Sequence, residues 1–172
     1  MITLRPFRLA DAVGLLELFR VTIQRVNAVD YSPDQIRAWA SDQISLADWT
    51  HRFAGRFTIV AELDGVVVGF TDMETDGHID RFFVSSSHQR CGIGRSLLSA
   101  LVDEAHRIGL VKLFTEASIT ALPFFEAHGF RVLVEQLVLC RGVEFMNYCM
   151  ERSSGETTGF VHSSQQQHLE RP

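Results

Sequence analysis

Between Phe57 and Ile108 the hydrophobic period changes once, and that change restricts the fold more than any other feature of the chain. FTIVAEL, VVVGFTDME and HIDRFFV are apolar runs rich in β-branched and aromatic residues, separated by Asp64-Gly65 and Asp76-Gly77. Asp-Gly pairs accept the positive φ of tight hairpin turns, so the three runs read as an antiparallel meander ending at Val84. From Gly92 the apolar residues Ile93, Leu97, Leu98, Leu101, Val102, Ala105 and Ile108 fall on one helical stripe, stopped by Gly109. Val111 to Ala117 returns to strand character. A strand, a crossover helix and a strand make a βαβ unit, whose strands must be parallel and whose crossover is right-handed.

The flanking segments extend this plan. Ile2 and Leu4 alternate with polar neighbours, and Val13, Leu16, Phe19, Ile23 and Val26 recur at helical spacing. Ser32, Pro33 and Gln35 supply a hydroxyl cap, a proline at the first helical position and a glutamine three residues after the cap, which predicts a short helix through Trp39. Another short helix is expected between Leu46 and Phe53. Ala121 to His128 is a third, closed by Gly129, and RVLVEQLVLC and VEFMNYCM form a last strand pair about Arg141-Gly142. The expected fold class is α/β (α+β): a mixed central sheet of six to seven strands, meander first and βαβ unit second, flanked by helices. Residues 1–151 are expected to form one domain and 152–172, rich in Ser, Gln, Gly and Thr, a flexible or partner-docked tail. His162 and His168 in that tail are read as solvated.

A length of 172 residues with 46% hydrophobic content suffices for one buried core. No apolar run approaches the ~20 residues of a membrane span and the amino terminus lacks signal-peptide features, so the chain is expected to be cytoplasmic. A net charge of −5 provides no global basic field for nucleic acid or anionic membranes. Cys91, Cys140 and Cys149 show neither CxxC nor Cys/His ligand spacing, which argues against a disulfide framework and a zinc site; no metal is expected.

The chemistry concentrates in His88-Gln89-Arg90-Cys91-Gly92-Ile93-Gly94-Arg95-Ser96, between a strand and an amphipathic helix. Glycines there let successive backbone N–H groups converge, and the helix amino terminus adds partial positive charge, so an anionic phosphate suits the spot. Arg90 and Arg95 bracket the turn and add charged donors. An ordinary strand-to-helix turn explains a lone GxG equally well. No GK[ST] follows, and GxGxxG is incomplete after a meander, which sets aside a P-loop and a dinucleotide fingerprint.

Gln89-Arg90-Cys91-Gly92-Ile93-Gly94, with Val84 before it and Leu97-Leu98 after, resembles the [QR]xxGx[GA] acetyl-CoA loop of the GNAT acetyltransferase family. Ser118 to Phe130, SITALPFFEAHGF, resembles that family's second element, NxxAxxFYxxxGF. The likeness covers about residues 1 to 150, and YSPDQIRAWA, HIDRFFV, PFFEAHGF and RGVEFMNYCM look like the YafP-like bacterial branch. The resemblance implies that acetyl-CoA is the cosubstrate and an amine the acceptor. It places the CoA diphosphate on the amides from Gln89 to Gly94, with Arg95 and Ser96 close by. It lays the pantetheine arm along Phe82, Phe83 and Val84, between the diverging strands, with Ser118, Phe124 and Phe125 as further walls. The family's frequent dimers imply a homodimer, through the final strands.

Direct transfer needs a neutral amine, while a free alkyl amine has a pKa of ~10.4, so a base or water chain must take its proton. The resemblance puts His78 where related histone acetyltransferases carry a glutamate base, and period-two geometry puts Asp80 on the same face. A hairpin position for His78 and an ion pair for Asp80, with Arg81 or Arg131, are the plainer alternatives; Glu62, Asp72, Glu74 and Glu116 are further carboxylates. The family stabilises the developing oxyanion with a backbone N–H near Val84. It supplies an acid for the departing thiolate from the tyrosine of FY, and that position is Phe125 here, which leaves water, Tyr148 or no group. Tyr31, Trp39, Trp49 and His51 lie in the region from which acceptor selection would come. A non-catalytic acyl-CoA sensor is the alternative function, and a nucleotide or phosphate-sugar enzyme a third.

Overall fold

The computed structural model describes residues 1–153. In chain order the elements are β1 (Ile2–Pro6), α1 (Ala12–Arg25), α2 (Pro33–Trp39), α3 (Leu46–His51), β2 (Phe57–Leu63), β3 (Val66–Met73), β4 (His78–Val84), α4 (Ile93–Arg107), β5 (Lys112–Ser118), α5 (Leu122–Ala127), β6 (Arg131–Cys140) and β7 (Val143–Ser153). The seven strands form one mixed sheet in the order β1-β2-β3-β4-β5-β7-β6. Neighbours are antiparallel except β4 and β5, the pair joined by α4. The meander and the βαβ unit are therefore as expected; the insertion of β7 between β5 and β6 is an order that the sequence left open. Strand β7 runs two residues past the expected boundary at 151, and the tail with His162 and His168 lies outside the described residues.

Turn chemistry sets the hairpins. Asp64 and Gly65 both have positive φ, as do Arg141 and Gly142, the two-residue geometry that matches the twist of paired strands. Helix α2 begins with the anticipated capping box, in which the Ser32 hydroxyl accepts from Gln35 N–H and the Gln35 side chain accepts from Ser32 N–H. Helix α1 presents Ala12, Leu15, Leu16, Phe19, Thr22 and Ile23 to the core, while Val13 is exposed. Leu16, Phe19 and Ile23 are therefore buried as expected, Val26 is half-buried, and the stripe is widened by Ala12, Leu15 and Thr22 in place of Val13.

The two faces of the sheet are filled differently. Helices α1 and α3 cover β2 to β4 with Leu15, Phe19, Trp49, Phe53, Val60 and Phe70. Helix α4 lays Ile93 and Leu97 on Ile59, Ala61 and Val68 of the opposite face, and α5 lays Phe125 against Leu113, Ala117 and Met150. Trp49, expected in a region that selects an acceptor, is fully buried and donates its indole N–H to Ala12 C=O at 3.1 Å; it is a core residue. No helix among the described residues is long and apolar enough to cross a membrane.

Candidate active site

Strands β4 and β5 pair only at His78↔Phe114 and Ile79↔Thr115. A bulge in the β3–β4 ladder, where Asp72 opposes Arg81 and Met73 opposes Ile79, leaves Asp80 without a partner and turns β4 away from β5. Thr115 Oγ1 donates to Ile79 C=O at 2.8 Å where the ladder ends, so that carbonyl stays satisfied as the strands part. Ser85 N–H bonds to Val68 C=O at 2.8 Å, and the register makes Phe83 the next residue facing β3. Phe82 and Val84 therefore aim their backbone groups into the gap. Val84 C=O accepts from Gln89 Nε2 at 2.7 Å and from Thr22 Oγ1 at 3.3 Å.

On the α4–α5 side the gap is walled by aromatic rings. Phe82 lies 5.2 Å from Phe124 and 5.4 Å from Phe125, and Tyr148, across the β5–β7 ladder from Ala117, packs into the same cluster. On the opposite side Phe83 stacks on Phe70, and Trp39 reaches from Phe83, at 6.4 Å, to Phe145 of β7, at 6.1 Å. Trp39 so spans from β4 to β7. Tyr31 closes that end, its hydroxyl accepting from Ile119 N–H at 2.9 Å and donating to Met146 C=O at 3.2 Å. Burial pushes the Tyr31 phenol above its ordinary pKa, so it stays protonated. A cleft of about 620 Å³ beside Tyr31 separates α1 from α2, lined by Gln24, Ala28, Ile36 and Arg37 among others.

The glycine turn heads α4 as its composition requires. Arg90 and Gly92 have φ of 63° and 82°, and Ser96 N–H closes the first helical bond on Gly92 C=O at 3.0 Å. Among the described residues, the N–H groups of Arg90, Cys91, Gly92, Ile93, Gly94 and Arg95 bond to no backbone carbonyl outside the helix ladder. They are the orphan donors of the helix start, converging beside exposed Arg90 and Arg95. Nothing lies within 4 Å of a Cβ built on Gly92, whereas one on Gly94 would meet Phe124. Ile93 is buried and anchors the turn; Cys91 is exposed, and Ser96 Oγ donates back to Gly92 C=O at 3.2 Å. Gln89 is exposed and its side-chain amide ties the strand end to Val84 and Ser85 C=O, and Ser118 Oγ accepts from Ala121 N–H at 3.1 Å.

His78 and Asp80 occupy the sheet face away from α4, with different surroundings. His78 Nε2 lies 2.6 Å from Glu116 Oε2 and Nδ1 lies 3.5 Å from Glu74 Oε1; the ring stacks on Phe114. Burial by itself lowers the His78 pKa, but the Glu116 hydrogen bond and the charges of Glu116 and Asp80 outweigh it and hold the imidazole above its ordinary value. Asp80 meets Arg56 at 2.5 Å and Arg52 at 3.2 Å, with Arg81 at 3.8 Å. Burial would raise its pKa, yet the guanidiniums of Arg52, Arg81 and Arg56 reverse the sign and keep the carboxyl below its ordinary range. An ionised carboxylate so paired is a weak proton acceptor, and the arginine partners foreseen for Asp80 include Arg81 but not Arg131, which pairs with Glu151 at 2.6 Å.

Phe125 is buried in the core and offers no proton. The Tyr148 hydroxyl makes no hydrogen bond among the described residues, and its side chain packs against the buried cluster beside Ala117, its partner in the β5–β7 ladder. The residue that sequence reasoning undervalued is Glu116: its contact with His78 depends on the β4–β5 register, which no local pattern encodes. Among the described residues no group of three or more His, Cys, Asp or Glu is placed to hold a metal.

A mixed sheet opened between its parallel strands, above a helix whose head presents unbonded amides, defines an α/β protein suited to hold a long ligand by a diphosphate and an extended arm. Comparison with known proteins makes the class specific. Residues 27–152 match the family described as Acetyltransferase (GNAT) domain, and the chain belongs to that acetyltransferase family. It is 34% identical over 149 residues to the uncharacterized N-acetyltransferase YafP of Escherichia coli K12, covering 87% of this chain and 94% of that one. A GCN5-related N-acetyltransferase crystal structure from Rhodopseudomonas palustris superposes with a TM-score of 0.85 at 32% identity, over 88% and 94% of the two chains. The PaiA N-acetyltransferase of Thermoplasma acidophilum, solved in complex with coenzyme A, has the same fold with a TM-score of 0.73 at 18% identity, over 89% of this chain and 99% of that one.

Proposed function

We propose that this enzyme moves the acetyl group of acetyl-CoA to a primary amine, of a small molecule or a protein, by direct attack while both substrates are bound. The observation that carries the reading is the gap between β4 and β5, with the Val84 amide aimed into it and the unbonded amides of Arg90 to Arg95 at its end. Acetyl-CoA would supply an acyl group already activated as a thioester. The loop amides, Arg90 and Arg95 hold the diphosphate, while Phe82, Phe124 and Phe125 exclude water along the arm. The Val84 N–H stabilises charge on the acyl oxygen. His78 takes the ammonium proton, and the Tyr148 hydroxyl delivers a proton toward the departing sulfur. Asp80, paired with arginines, holds the parted strand instead of accepting protons.

The same reading sets the reaction in the cytoplasm and the working unit as a homodimer joined through β6. Strand β6 is an edge strand, and Leu133, Leu137 and Leu139 are exposed along it.

The test is free CoA release from acetyl-CoA across a panel of primary amines, with Gly92→Glu as the control whose side chain fills the diphosphate position. Turnover with at least one amine, absent in Gly92→Glu, is the expected result. Tight acetyl-CoA binding with no turnover for any amine favours a non-catalytic sensor instead.

A further inference from the structure

Of the carboxylates Glu74, Asp80, Glu116 and Glu151 around the parted strands, three are paired with Arg56, Arg52, Arg131 or Lys112. Glu74 pairs with Arg56 at 2.6 Å, Asp80 with Arg56 and Arg52, and Glu151 with Arg131 and Lys112. Glu116 has no arginine or lysine partner among the described residues; its contact is His78 Nε2, at 2.6 Å. The imidazole is clamped as well. Its ring stacks on Phe114 with centroids 5.1 Å apart, and its backbone N–H donates to Asp76 Oδ1 at 3.0 Å. An ionised carboxylate can only accept, so Glu116 requires a hydrogen on Nε2, and a neutral imidazole with a hydrogen there carries its lone pair on Nδ1.

We propose that Glu116 is the positioning residue for acyl transfer: it fixes the proton of neutral His78 on Nε2, so that Nδ1 is the atom that takes the proton of the incoming ammonium. The proposal rests on the reading of His78 as the base. One proton passes from the ammonium nitrogen to Nδ1 and the nitrogen keeps the electron pair with which it attacks; His78 forms no bond to carbon. The imidazolium then lies between Glu116 and Glu74 Oε1, 3.5 Å from Nδ1. The charged groups facing the ring are Glu116 on β5, Glu74 and Asp76 in the β3–β4 turn and Asp80 on β4. Arg56 and Arg52 stand behind the last carboxylates, Cys149 of β7 lies across from Glu116, and Lys112 lies over the far side of Phe114. The balance of these charges favours the protonated ring, in keeping with its raised pKa.

Two measurements on the full chain test this. The first is the nitrogen-15 spectrum of the His78 ring, assigned by the signals lost in His78→Gln. Wild type should show the Nε2–H tautomer above the titration, and Glu116→Gln and Glu116→Ala a mixture. The second is the pH profile of kcat/KM. Wild type should rise through an apparent pKa above the ordinary ~6.5. Glu116→Gln should move that limb down by about one pH unit and lower kcat about 10-fold, with KM for acetyl-CoA unchanged. A wild-type Nδ1–H tautomer, or superimposable profiles for wild type and Glu116→Gln, overturns the proposal. Full activity in His78→Gln instead overturns the base reading itself, and the tautomer then decides separately whether Glu116 orients the ring.

Discussion

Phe124 presses directly on Gly94: a Cβ at that glycine would lie 3.0 Å from Cε2 and 3.3 Å from Cζ of the ring. The ring has little room to retreat, since Phe82 is 5.2 Å away on one side and His128 4.3 Å on another. Gly94→Ala should therefore cost about 1–3 kcal/mol as overpacking and weaken acetyl-CoA binding by displacing the helix head. Gly92→Ala should differ. Open space surrounds Gly92, and only its φ of 82° opposes a side chain, so the cost should be about 1 kcal/mol with binding largely kept. Thermal melts of both variants, with and without acetyl-CoA, separate the two causes.

Tyr148→Phe tests whether a hydroxyl in the aromatic wall contributes to catalysis. The side chain packs against the buried cluster that holds Leu113, Ala117 and Phe125, and the substitution keeps that packing. A thiol leaving group with a pKa of ~8.5 needs little help, so kcat should fall only about 10-fold, with KM for acetyl-CoA and the melting temperature unchanged. An unaltered kcat across pH 6 to 9 assigns the proton to water.

Much of this was legible in the residues, for reasons that differ by element. Asp64-Gly65 and Arg141-Gly142 announce hairpins because each needs two positive φ values in succession, a local demand. Ser32 and Gln35 announce a helix start for the same kind of reason. The glycine turn was legible through its position between strand and helix, and the parallel pair through the length of its crossover. The partners of Asp80 were not, because Arg52 and Arg56 approach it from the cap and the loop that follow α3, as tertiary packing decides. Trp49 was equally hidden: its spacing fits a cleft wall or a core, and only α1 lying across it selects the core. Glu116 meets His78 through a two-residue parallel register that ends where the bulge begins.

Acid should destabilise the fold through Asp11. Its carboxylate accepts from Arg5 Nη1 and Nη2 at 2.8 and 2.9 Å and from Arg8 N–H at 2.7 Å. The Arg5 hydrogen bonds are the main cause of a pKa below the ordinary value, against the opposing effect of burial. A depressed folded-state pKa adds stability that is present above the unfolded value of ~3.9 and is lost as pH falls through the folded value. Asp11→Asn should therefore be less stable than wild type at pH 7, by about 2 kcal/mol. The difference should begin to shrink below about pH 4 and vanish once pH has fallen through the folded-state value. Equal melting temperatures at pH 7 would show that Asp11 contributes nothing to the join between β1 and α1.

The edge strand β6 gives the last expectation. Ten residues long, it leaves one side of its backbone unpaired, and a second copy can add to it antiparallel about a two-fold axis near Gln136. In that register Leu133 faces Leu139 of the other copy and Val134 faces Val138, while Glu135 falls opposite Leu137 and no like charges meet. The exposures of Leu133, Leu137 and Leu139, 56%, 63% and 73%, mark the surface that such pairing would cover. Leu137→Lys puts a charge at its centre without touching the gap between β4 and β5. Wild type should elute as a dimer in light-scattering chromatography, and Leu137→Lys as a monomer with the same acetyl-CoA affinity. A wild-type monomer at ~100 μM would rule out the edge pairing, because an interface that extends a sheet by ten residues and covers three leucines should hold at that concentration.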